Sequence, residues 1–175
     1  SNMDYVRSED IPNIELYMDQ VTSFMDEQLS SSKRYDDDKI LTKTMINNYA
    51  KNNLLPPPVK KKYSKEHVVV MIFIYYFKTI LSIKDIETIL TPITEKYFDT
   101  DSAVDVASIY EEVCDTAKSQ IQNLKDEVRE AYETSQNTFK DMEGLSDSDR
   151  EYLQLFSLIS SFGLHRSALC CSGSP

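Results

Sequence analysis

The chain has 175 residues, a formal net charge of −10, 41% apolar and 27% charged side chains, and only three Gly and six Pro. That length and apolar content suit one globular domain, or one domain with an appended helical module. The scarcity of Gly and Pro excludes a turn-rich β-sandwich or a glycine-rich phosphate loop, and the longest apolar run, Val68 to Phe77, is about half of what a membrane-crossing helix needs.

Charge is unevenly spread. Residues 1–38 sum to −7, residues 39–67 to +6 and residues 68–175 to −9. Free salt screens exposed charges beyond ~8 Å, so a local basic segment can attract phosphate even on an acidic molecule. Cys114 and the adjacent Cys170 and Cys171 form neither a CxxC nor a disulfide framework, and reduced thiols are expected. The N-terminus has no basic region followed by an apolar one, Ser1 and Asn2 ahead of Met3 read as a cloning remnant, and a cytoplasmic protein with no membrane partner is the expectation.

In chain order, Pro12 is expected to open a helix over about 12–30, with Ile14, Tyr17, Val21, Phe24, Met25 and Leu29 on one stripe. The polar run Ser30 to Lys39 reads as a loop. Thr42 then caps a short helix with Met45 or Ile46, Tyr49 and Ala50 inward, and Asn53 suits the left-handed residue that ends it. Pro56, Pro57 and Pro58 force an extended path into a stiff basic loop or minimal hairpin. Ser64 caps the next helix, whose all-round apolar run Val68 to Phe77 marks it as the centre of the core. A shorter helix over Ser82 to Leu90, with Ile83, Ile86, Ile89 and Leu90 inward, is expected to end at Pro92.

Beyond an acidic linker, Asp99 to Asp105, an amphipathic segment runs from about 103 to 142. Tyr110, Val113, Ala117, Ile121, Leu124, Val128, Ala131 and Tyr132 step by threes and fours, which is heptad spacing. That seam serves either a second chain or this chain's own core. A last helix spans Asp147 to Phe162, with Tyr152, Leu155, Phe156, Ile159 and Phe162 on one side and Gly163 as its cap, before a tail expected to be flexible.

The succession of a short polar helix, Tyr49, Asn53-Leu54-Leu55-Pro56-Pro57, a basic connection, Tyr63-Ser64, a long apolar helix and Ser82-Ile83-Lys84-Asp85-Ile86 resembles the winged helix-turn-helix domain of MerR-type proteins. TKTMINNYAKNNLLPPPVKKKYSKEH with SIKDIETIL is similar to an uncharacterised bacterial domain family often grouped with them, over about residues 12–120. In the resemblance Ile46 falls on the inward Leu of the recognition helix, Asn47 on an exposed Arg, Asn48 and Tyr49 on a Tyr pair, and Asn53 on the helix-ending Gly. Leu54, Leu55 and Pro56 fall on Leu-Leu-Pro, and Val68, Met71, Ile74 and Phe77 on the apolar face of the following helix. The connection Pro56 to Tyr63 is shorter than a usual wing, and the loop Ser30 to Leu41 is longer than a tight turn.

Asn can pair with adenine in the major groove, and Lys approaches guanine or phosphate. The candidate DNA-binding residues are therefore Lys43, Thr44, Asn47, Asn48 and Lys51 on the helix, and Lys60, Lys61, Lys62 and Tyr63 on the connection. The bland alternative is a merely solvated face. His67 is expected at the surface. His165, Cys170 and Cys171 have no recognised metal spacing, and no metal or other cofactor is expected. No GxGxxG, Walker loop, HExxH or nucleophile elbow occurs, and no catalytic residues are expected.

The expectation is a mainly α protein: a MerR-like helix-turn-helix domain with a minimal wing and an N-terminal helix over 12–92, a C-terminal helical region over 103–165 for packing or dimerisation, and a tail over 166–175. Its expected function is sequence-specific binding of double-stranded DNA as a bacterial transcription regulator, not catalysis. The alternative is a helical protein-interaction module of helix-turn-helix shape.

Overall fold

The computed structural model describes residues 5–33 and 37–172, with side chains through Leu164. It is mainly helical, and no helix among the described residues is long and apolar enough to cross a membrane. The elements are β1 (Leu16–Tyr17), α1 (Met18–Gln28), α2 (Lys43–Lys51), β2 (Lys62–Tyr63), α3 (Lys65–Phe77), α4 (Ile83–Tyr97), α5 (Val106–Ser135) and α6 (Asp147–Ser172), with short 3₁₀ turns at Ser8–Asp10 and Ser30–Ser32. The chain divides into two compact units, residues 1–116 and 117–175, and α5 begins in the first and ends in the second.

The first unit is organised around α3. Every side chain from His67 to Tyr75 is buried, as an apolar run without a polar face demands. Val21 and Met25 of α1 with Leu29 at its C-terminal cap, Ile46 and Tyr49 of α2, Ile86 and Leu90 of α4, and Val106 and Tyr110 of α5 join it in one cluster. The N-terminal segment is tied in by Val6, whose carbonyl accepts a 2.5 Å bond from the Tyr110 hydroxyl. Lys78 closes the far end of α3 by donating to the Ile40 carbonyl at 2.9 Å.

Four elements depart from expectation. The first helix starts at Met18, not Pro12, because Leu16 and Tyr17 are used as a strand pairing antiparallel with Tyr63 and Lys62. Ile14 and Tyr17, expected inward, are consequently exposed. Helix α4 runs through Pro92 to Tyr97: a proline there removes one backbone donor, while Ile93 and Tyr97 beyond it still pack on the core. Within α4, Ile86 and Leu90 are buried but Ile83 and Ile89 are not. Helix α5 stops at Ser135 rather than near 142, in turns where Ser135 donates to the Tyr132 carbonyl and Phe139 takes φ 60°. Helix α6 continues through Gly163 to Ser172, since Gly163 is not in the left-handed conformation a cap would need, whereas Gly144 is, at φ 85°. The side chains of His165, Cys170 and Cys171 lie outside the described residues.

Candidate nucleic-acid interface

Helix α2 is defined at both ends by local chemistry. Thr42 Oγ1 accepts the Met45 N–H at 3.2 Å, satisfying a donor the first turn would otherwise leave open. At the other end Asn53 sits at φ 57°, the Leu54 N–H donates to the Tyr49 carbonyl at 2.9 Å and the Asn53 N–H to the Ala50 carbonyl at 3.3 Å. This is the Schellman arrangement, with Asn in the role usually taken by Gly. Leu54, the residue after the left-handed one, is buried and clamps the turn to the core.

Between those ends Ile46 and Tyr49 face inward, and Lys43, Thr44, Asn47, Asn48 and Lys51 are all exposed. Residues three and four apart share a helix face, so burying 46 and 49 necessarily presents 44, 47, 48 and 51 outward. Five of the sequence-predicted contacts thus share the exposed side of a single short helix.

The connection after α2 is a two-residue hairpin. The Lys62 N–H donates to the Val59 carbonyl at 2.9 Å and the Val59 N–H to the Lys62 carbonyl at 3.1 Å, with Lys60 at φ 50° and Lys61 at φ 66°. Two central residues at positive φ mark a type I′ turn, a position usually given to Asn-Gly. Lysine in both places is strained, and the turn closed by the Val59–Lys62 bonds leaves both residues exposed at its tip.

The last two predicted contacts are placed differently. Lys62 is tied down: its Nζ is 3.1 Å from Glu15 Oε2 and 5.7 Å from the centre of the Tyr17 ring, and the Glu15 hydrogen bond and charge raise its pKa. Tyr63 is 3% exposed, because β2 alternates and its inward residue belongs to the core. Its ring is therefore removed from any surface contact. Among the described residues, Lys43, Lys51, Lys60 and Lys61 make no ion pair.

His67 also corrects expectation, being 3% exposed rather than at the surface. Its Nδ1 accepts the Ser64 N–H at 3.0 Å, taking the place of the carboxylate in a capping box, and its Nε2 is 3.3 Å from the Pro57 carbonyl, to which it donates. The ring lies edge-on to Tyr63 and Phe98. Burial lowers its pKa, so the neutral ring is the form that links the proline stretch to the start of α3. The Ser-x-x-His spacing was the available sequence signal for this role. Nothing local signalled Glu15, the partner of Lys62, which lies 47 residues away along the chain.

A family model described as a domain of unknown function (DUF1836) matches residues 6–113. No curated protein and no solved structure matches the chain.

Proposed function

We propose that this chain, which belongs to the family of domains of unknown function DUF1836, binds duplex DNA through α2 and the hairpin tip and acts as a bacterial transcription regulator of MerR-like winged helix-turn-helix type. The observation that carries the reading is the exposed face of α2, Lys43, Thr44, Asn47, Asn48 and Lys51, held outward by buried Ile46 and Tyr49 in an otherwise acidic protein. A major groove admits such a helix, Asn47 and Asn48 supply paired donor and acceptor groups for adenine edges, and Lys43 and Lys51 reach guanine or phosphate. Lys60 and Lys61 then neutralise flanking phosphates as a stub wing, while Lys62 contributes little as long as Glu15 holds it. In the same proposal the chain works as a homodimer, so that two copies of α2 meet successive turns of a palindromic site.

The test is selection of bound fragments from a random DNA pool, followed by salt titration of the enriched site. Phosphate contacts by Lys43, Lys51, Lys60 and Lys61 give a log–log salt slope of roughly −3.6 per chain. Charge reversal of Lys60 and Lys61 to Glu abolishes enrichment if the reading holds. No enrichment with the wild-type chain, or binding indifferent to salt, transfers the protein to the competing class, a helical protein-interaction module.

A further inference from the structure

The C-terminal unit, residues 117–175, has a large apolar content but, among the described residues, no buried apolar core. Among the described residues none of its apolar side chains is buried, although Ser135 is. On α5 Leu124, Val128 and Tyr132 are 52%, 43% and 49% exposed, and on α6 Leu155, Phe156 and Ile159 are 53%, 58% and 63% exposed. Helices in water owe most of their stability to packing of an apolar face, and here the single chain gives only partial cover: Ile121, Leu153 and Leu158 are half-buried, while the six side chains above stay exposed.

We infer that a second copy of this chain covers these faces, and that the C-terminal unit acquires its hydrophobic core only in the dimer. The inference deepens the dimeric part of the proposed function but rests on the apolar surface, not on any contact with DNA.

Three observations choose this occupant. The α5 seam reads as heptads with Ile121 and Val128 at a and Ala117, Leu124 and Ala131 at d, the spacing that lets one helix seat its side chains between those of another. The flanking Lys118, Lys125 and Glu127 carry both signs of charge, and no block of one sign opposes self-association. The area also suffices. At on the order of 100 Å² of exposed surface for each of those six side chains, a pair of chains can remove roughly 1,200 Å² from water, the lower end of stable specific interfaces. Helix α6 adds to it, because its apolar stripe Tyr152, Leu155, Phe156, Ile159 and Phe162 is exposed while Arg150, Gln154, Ser157 and Ser161 on the opposite stripe are the half-buried ones.

The test is the mass of the full chain in solution, by sedimentation equilibrium without nucleic acid, with far-UV circular dichroism on the same samples. Wild type is expected at twice the chain mass. Leu124→Glu with Val128→Glu is expected to weaken the dimer on the order of 100-fold and to lower helical signal as α6 and the second half of α5 lose their cover. Phe156→Glu with Ile159→Glu weakens it from the other helix, and Asn123→Glu, at an outward heptad position, leaves it intact. A wild-type monomer overturns the inference, as does a dimer that withstands both pairs of charge substitutions. Because no DNA is present, either outcome is independent of the DNA reading.

Discussion

Replacing Lys60 and Lys61 together by Asn and Gly is expected to make the protein more stable and its DNA binding weaker. Both lysines occupy the left-handed region, at φ 50° and 66°. That conformation costs a residue with a Cβ about 1–2 kcal/mol, a cost Gly does not bear and Asn bears less of. Gly at 61 gives back about 0.5–1 kcal/mol through the greater freedom of the unfolded chain. The net gain is about 1 kcal/mol, an increase in Tm of about 4 °C for a cooperative unit of this size. The main chain of the turn is unchanged by the substitution, since the Val59–Lys62 bonds involve neither side chain. Two ammonium groups disappear, so the log–log salt slope of DNA binding becomes shallower by about 1.8 if each lysine meets one phosphate. Thermal melts followed by circular dichroism and anisotropy titrations at several salt concentrations measure the two effects separately. An unchanged or lower Tm refutes the strain, and an unchanged salt slope removes the hairpin tip from the DNA contact.

Three further outcomes follow from the same geometry. With its pKa lowered by burial, folded His67 stays neutral where the unfolded chain takes up a proton, so its contribution to stability is complete above about pH 6.5 and is lost as pH falls below that value; denaturant midpoints of wild type and His67→Gln should converge on acidification, and parallel curves would count against the buried neutral ring. Glu15→Gln releases Lys62 with little change in Tm, as expected for a surface pair, and steepens the salt slope by about 0.9 when the freed ammonium reaches a phosphate; an unaltered slope places Lys62 away from the nucleic acid. Ile46→Ala, at a position with no exposed surface, costs about 3 kcal/mol in chemical denaturation, and a loss below ~1 kcal/mol would show that α2 is not docked by this side chain.

What sequence alone determined is the set of features whose causes lie within a few residues. Thr42, the 46/49 spacing and Asn53 define α2 from end to end, because a cap, a 3.6-residue period and a left-handed stop are each satisfied by neighbours. The burial of α3 follows equally directly from an apolar run with no polar face, and its capping residue is visible at Ser64. Five of the nine expected contact residues inherit their exposure from that local geometry, and Lys60 and Lys61 owe theirs to a turn four residues long.

Tertiary structure decided everything that depends on a partner distant in sequence. Leu16 and Tyr17 became a strand because Tyr63 and Lys62 offered unpaired backbone groups, and that pairing also buried Tyr63 and brought Glu15 to Lys62. Pro92 stayed inside α4 because the core contacts of Ile93 and Tyr97 outweigh one missing backbone bond, a comparison no local window contains. Hydrogen bonding along a helix is local and can be read residue by residue, whereas strand pairing, ion pairing and burial depend on which distant segments the fold brings together.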